Sequence, residues 1–145
     1  MNILNDLSND KIDKYLKKYQ NYGGCFSCLD LPRLQEKVYI TNIDIYDQGG
    51  THWTLVSNLE PNRIIYFDPF GLPSNIPINE WMKKSRKPIY FSNVDYQAIK
   101  SKACGYFCVY VAKQLCEGRK FNDIIKDFHH NTLQNERKLD NYFLT

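Results

Sequence analysis

Four side chains that together could open an acyl bond occur in this chain in the order His52, Asp68, Gln97 and Cys104. They would supply a base, a carboxylate to orient it, an amide donor for an oxyanion and a thiol nucleophile. A cysteine paired with a histidine means little by itself in a chain with five cysteines and three histidines. The surroundings of each residue carry the argument.

Cys104 is followed by Gly105 and an apolar run, Tyr106, Phe107, Cys108, Val109, Tyr110, Val111 and Ala112, which continues to Leu115 and Cys116 before Gly118 stops it. The run predicts a buried helix starting at Cys104. Unpaired N–H groups and the positive end of the dipole at a helix N-terminus favour the thiolate, which is the attacking species. Gly105 leaves the approach open to a substrate backbone. A buried cysteine also serves as a small hydrophobe, the reading that suits Cys108 and Cys116.

Residues 51–58 and 63–68 read as strands, rich in Val, Ile, Thr and aromatics, joined by a turn at Leu59, Glu60, Pro61 and Asn62. Folding the hairpin about residue 60 places His52 opposite Asp68. Directly opposed residues have Cβ atoms about 5 Å apart, within reach for a carboxylate to hold an imidazole in one tautomer. A polar rim at the open end of a hairpin would look the same; the ring residues that follow each, Trp53 and Pro69, suggest an ordered wall beside a site. Gln97 stands seven residues before Cys104, in a loop after an expected strand at 88–94. Its amide, aimed where the Cys104 N–H points, would stabilise an oxyanion by about 3 kcal/mol.

Three linked segments then resemble one family. They are Gly49-Gly50-Thr51-His52-Trp53, Tyr66-Phe67-Asp68-Pro69-Phe70-Gly71, and Gln97 followed by Ala103-Cys104-Gly105-Tyr106-Phe107-Cys108. The chain resembles the adenovirus-type, adenain-like cysteine proteases, within the clan that includes the SUMO-deconjugating proteases. The resemblance spans residues 5–143 and takes in 131–143 as the group's C-terminal helix. It implies Cys104 as nucleophile, His52 as general base, Asp68 as orienting acid and Gln97 as the oxyanion-hole side chain. It also implies substrate contacts at Gly50, Trp53 and Gly105, with Trp53 walling a narrow channel that admits glycine before the cut; core packing is the other reading of Trp53. Adenovirus enzymes usually carry Glu at the position of Asp68, where the SUMO-type proteases carry Asp. The adenovirus enzyme is activated by a viral peptide tethered through a disulfide to a cysteine upstream of the glutamine. No cysteine lies between Cys28 and Cys104, which speaks against covalent activation and leaves non-covalent activation open.

Composition fits a single domain over 1–145. With 43% hydrophobic and 14% aromatic residues, the chain can build a core without disulfides or a metal. An odd cysteine count and a thiolate nucleophile both point to a reducing setting. Cys25 and Cys28 form a lone C-x-x-C with no second pair to complete a zinc site, and His129-His130 reads as a partly exposed helix end, so no metal is expected. No apolar stretch approaches the roughly 20 residues that span a bilayer, and 1–9 hold no signal-peptide core. A location in the host cytoplasm or nucleus at sites of virus assembly, or inside the virion, is expected, without membrane contact. The net charge of +3, from 19 basic against 16 acidic residues, is too mild to argue for nucleic acid alone. Relatives use DNA as a cofactor, so weak DNA binding stays open; the residues themselves require no cofactor, and an activating viral peptide or DNA is what the resemblance implies.

The elements expected to position these residues begin with a helix capped by Ser8, with Ile12, Tyr15, Leu16 and Tyr19 on one face, ended by Gly23-Gly24. A loop through Pro32 leads to a strand at 38–43, then the hairpin, a short helix at 78–84 introduced by Pro77, and a strand at 89–94. The Cys104 helix follows, then a helix with Phe121, Ile124, Ile125 and Phe128 on one side, and a last helix from Asn131. This is an α+β fold: a mostly antiparallel central sheet packed on a buried central helix with flanking helices, an adenain-like fold with a papain-like site. The expected activity is a monomeric cysteine endopeptidase that trims viral capsid or core precursors after small, Gly-containing sites during virion maturation. The Asn-, Lys-, Ile- and Tyr-rich composition suits a virophage or related element. Alternatives are a deconjugating isopeptidase for SUMO or ubiquitin-like modifiers, and an inactive interaction or DNA-associated packaging protein.

Overall fold

The computed structural model describes residues 7–44, 52–97 and 102–144. Helix α1, Asn9–Leu16, begins where Ser8 accepts a hydrogen bond from the Lys11 N–H at 3.2 Å and buries Ile12 and Leu16. It stops at Leu16, well before the glycine pair. Gly23 and Gly24 lie instead inside an edge strand, β1, Tyr22–Ser27. A Cβ on Gly23 would sit 2.4 Å from the Tyr39 ring, and Gly24 has φ +123° at a register irregularity between Tyr22 and Gly24. The pair therefore marks a bulge where a neighbouring ring presses on the backbone, and the expected loop through Pro32 starts only after this strand.

The sheet continues with β2 (Val38–Asn42), β3 (Trp53–Ser57), β4 (Ile64–Phe67) and β5 (Ile89–Ser92), in spatial order β1-β2-β3-β4-β5. The three inner strands are antiparallel, as expected, while β1 joins β2 and β5 joins β4 in parallel. The hairpin register differs from the expected one. Leu55 pairs with Phe67, Val56 with Tyr66 and Ser57 with Ile65, a shift of two residues from the register that set His52 opposite Asp68. Because strand side chains alternate with period two, such a shift preserves the face each residue occupies. Asp68 becomes a diagonal neighbour of His52, and Phe70 comes level with it, its ring stacked on the imidazole at 5.2 Å.

Every residue of β2, β3 and β4 is buried, because both faces of the sheet are covered. Val38, Ile40, Leu55, Ile65 and Phe67 pack toward helix α3, Cys104–Cys116, with Leu16 of α1 in the same core. Tyr39, Val56, Ile64 and Tyr66 pack on the other side against Ile78, Trp81 and Met82 of α2, Ile76–Lys83. Asn75 caps α2 through its side chain, so this helix starts two residues earlier than Pro77 alone suggested. α3 is apolar nearly all round, as a helix buried between a sheet and other helices must be. The expected helix at Phe121 is a short α4, Phe121–Ile124, running into a 3-10 turn at Ile125–Asp127; α5, Thr132–Leu144, closes the fold. Among the described residues no helix is long and apolar enough to cross a membrane.

Candidate active site

Cys104 is the first residue of α3 and is 2% exposed. Ala103 at the N-cap offers no side-chain acceptor, so the first-turn N–H groups are not capped by it. A further donor comes from the start of β3: the Trp53 N–H points at Cys104 Sγ, 3.3 Å away. The same residue accepts, through its carbonyl, the thiol of Cys108 at 3.4 Å, one helical turn below Cys104. Its indole Nε1 donates to the Leu7 carbonyl at 2.9 Å. Trp53 is thus pinned at its N–H, its carbonyl and its ring, and it is 5% exposed within the core. Gly105 is buried as well; a Cβ there would lie 3.0 Å from Leu7 Cβ and 3.1 Å from Trp53 Cδ1. The close approach that Gly105 permits is that of Leu7 and Trp53.

His52, which interacts with the Cys104 side chain, has its Nε2 2.9 Å from Asp68 Oδ1. Asp68 follows the last residue of β4 and is fully buried, with its Oδ1 also accepting the Phe70 N–H at 2.8 Å. The Gly71 N–H closes the turn onto the Asp68 carbonyl at 2.7 Å. Gly71 has φ +77°, and a Cβ would meet the Val94 carbonyl carbon at 2.8 Å, so only glycine lets the acid-bearing turn lie this close to the next segment. Asp68 Oδ2 is buried with no hydrogen-bond partner among the described residues. A carboxylate so placed leans on a cationic neighbour to offset its charge. Burial opposes the imidazolium of His52, but hydrogen bonds and charge from Asp68 and Cys104 outweigh it and push His52 up to about 9. With Nε2 committed to Asp68, Nδ1 is the nitrogen left to exchange a proton with Cys104.

Gln97 is fully buried in the loop after β5. Its N–H donates to the Pro69 carbonyl and to Asp95 Oδ1, each at 3.1 Å, and the Tyr96 N–H reaches the same Pro69 carbonyl at 2.8 Å. The glutamine loop is therefore stitched to the residue that follows Asp68. His52, Asp68 and Cys104 come together, and Gln97 is held on the adjoining loop. Gly50 lies outside the described residues. Cys25 belongs to the core on the α3 side of the sheet and Cys28 to the one on the α2 side, so the C-x-x-C pair is split. Among the described residues no three His, Cys, Asp or Glu side chains could hold a metal ion. Two contacts went unread in the sequence: the bond from Cys108, read there only as a buried small hydrophobe, to the Trp53 carbonyl, for which its i+4 spacing from Cys104 was the available signal, and that of Leu7, which arises only from the chain path.

No protein-family model matches the chain, and no curated sequence matches it. The fold is shared with solved structures. The crystal structure of ASFV pS273R protease superposes with a TM-score of 0.69 at 18% identity, covering 94% of this chain and 66% of that one. The Se-Met form of the same protease gives 0.65 at 16% identity, covering 94% and 67%. This chain spans about two thirds of the length of that protease. The central domain of the uncharacterized Lpg1148 protein from Legionella pneumophila gives 0.52 at 14% identity, covering 94% of this chain and 99% of that one. The α+β architecture is thus one that a protease uses.

Proposed function

We propose that this chain is a cysteine endopeptidase of the adenain-like kind, with Cys104 as nucleophile. The observation that carries the reading is the contact chain from Asp68 through His52 to a thiol at the start of α3, anchored by the 2.9 Å Nε2–Oδ1 bond. In the reaction, the Cys104 thiolate adds to a peptide carbonyl carbon, and the carbonyl electrons move onto oxygen. The Cys104 N–H and the Gln97 amide take up the oxyanion. Collapse of the tetrahedral intermediate expels the amine, which takes a proton from His52 Nδ1, leaving a thioester. Water, deprotonated by the same nitrogen, then adds to the thioester carbonyl, and collapse breaks the C–S bond, releasing the acid and restoring the Cys104 thiolate beside the protonated ring. Asp68 keeps the ring oriented and stabilises it when charged.

The substrate class follows from the family likeness of the three motifs: viral capsid or core precursors, cut after small residues such as glycine during virion maturation, in a virophage or related element. An activating peptide or DNA would act without a disulfide to the chain. Asp68 in place of glutamate favours, as a second reading, a peptidase acting on the tails of ubiquitin-like modifiers. Co-expression with capsid precursors, and in parallel with SUMO or ubiquitin fusions, followed by intact mass separates the two. The expected result is a precursor cut after a small residue that disappears with Cys104→Ala. Cleavage confined to the modifier fusions would replace the substrate assignment, and cleavage that survives Cys104→Ala would end the proposal.

A further inference from the structure

Asn135 sits in the first half of α5 and is fully buried, and every polar atom of its side chain is used. Oδ1 accepts the His129 N–H at 2.6 Å, and Nδ2 donates to the His129 carbonyl at 2.7 Å and to the Tyr96 carbonyl at 3.0 Å. Those bonds exhaust the donors of a side-chain amide. The Tyr96 carbonyl belongs to the same planar peptide unit as the Gln97 N–H, which donates to the Pro69 carbonyl. That unit is therefore gripped at both ends, by Asn135 on one side and by the residue after Asp68 on the other. The Tyr96 ring fixes it laterally, packed on Phe128 at 5.2 Å and on Phe67 at 6.3 Å. Two anchored ends of one plane set the direction in which the Gln97 side chain leaves the backbone.

We infer that Asn135 is a positioning residue for the oxyanion hole, acting through the Tyr96–Gln97 peptide. The inference rests on the peptidase reading for its kinetic consequence, while its structural consequence stands apart from it. Asn135→Asp is the informative variant, because it retains shape and the acceptor for the His129 N–H but loses the donors to Tyr96 and His129. Thiolate chemistry needs no oxyanion stabilisation, so alkylation of Cys104 by iodoacetamide should proceed at the wild-type rate. Hydrolysis should lose about tenfold or more in kcat with KM little changed, the order expected when an oxyanion donor is misplaced. Combined with Gln97→Ala, the variant should add nothing further, since both act on one group.

Hydrogen exchange supplies the arm that does not depend on activity. The Gln97 amide should exchange faster in Asn135→Asp while the amides of α3 keep their protection. If the wild type hydrolyses no peptide, the peptidase reading falls, and selective loss of protection at Gln97 still upholds the positioning role. Equal loss of alkylation and hydrolysis, additive loss on top of Gln97→Ala, or unchanged Gln97 exchange would each overturn it. Should Asn135→Asp unfold, Asn135→Ser, which keeps one short polar group, takes its place under the same outcomes.

Discussion

His52 is the residue on which pH acts most directly. Its ordinary value of 6.5 is pushed up to about 9 against the opposing effect of burial, by bonding and charge from Asp68 and Cys104. The folded chain therefore holds this proton more tightly than the unfolded chain. The stabilisation is complete below pH 6.5 and is lost as pH rises through about 9. Denaturation midpoints measured from pH 6 to 10 should show that decline in the wild type and a smaller one in Asp68→Asn. In the proposed reaction the same proton is the one given to the leaving amine, so kcat/KM should fall above about pH 9, and at lower pH in Asp68→Asn. That variant should also lose about 1,000- to 10,000-fold in kcat, because an amide in place of the carboxylate favours the wrong tautomer. An alkaline limb that stays in place in Asp68→Asn would assign it to another group. The meeting of His52 with Asp68 and Cys104 was legible because each motif carries its own chemistry. The pinning of Trp53 was not, because main-chain contacts to Leu7 and Cys108 leave no trace in residue type.

Elements place these residues through turns that admit little variation. Gly71 and Gly118 both have positive φ, +77° and +97°, yet their surroundings differ. A Cβ at Gly71 collides with the Val94 backbone, whereas one at Gly118 meets nothing within 4 Å. Gly118→Ala should therefore cost only backbone strain, about 1 kcal/mol, and leave kcat unchanged. Gly71→Ala should displace the turn that carries Asp68 and lower kcat as well as stability; equal effects of the two substitutions on kcat would contradict this. Helix α1 was readable from its Ser8 cap and apolar face, α2 from Pro77 and α3 from its apolar run, because those signals are local, whereas α5 came from the family resemblance. The hairpin register was not, since a turn at Leu59 to Asn62 fixes the fold-back only to within a pair, and the sheet register was decided by packing on both faces. β1 was hidden for a related reason: Gly23 and Gly24 read as a stop, and only the Tyr39 ring beside them explains their place in a strand.

At the scale of the whole molecule, α3 is the post on which the site is built, with the sheet on one side and α1, α4 and α5 around it. Phe107, one turn into this helix, is fully buried, and Phe107→Ala should cost about 3–5 kcal/mol of stability, read from chemical denaturation. A loss under 1 kcal/mol would mean the helix is not packed as described. The α+β class was legible from the run after Cys104 and the flanking strands. The parallel joining of both outer strands was not, because strand direction at an edge depends on the connections and not on the strand's own residues. The central claim is that Cys104, although 2% exposed, is the activated thiol among five free cysteines. Cys116 is its natural competitor, being the one cysteine that is not buried, with burial pushing its thiol up to about 11. Peptide mapping after brief iodoacetamide treatment at pH 7 tests the claim directly. Activation predicts that Cys104 is modified first and that His52→Ala abolishes its lead; modification of Cys116 first in the wild type, with Cys104 inert, would contradict it.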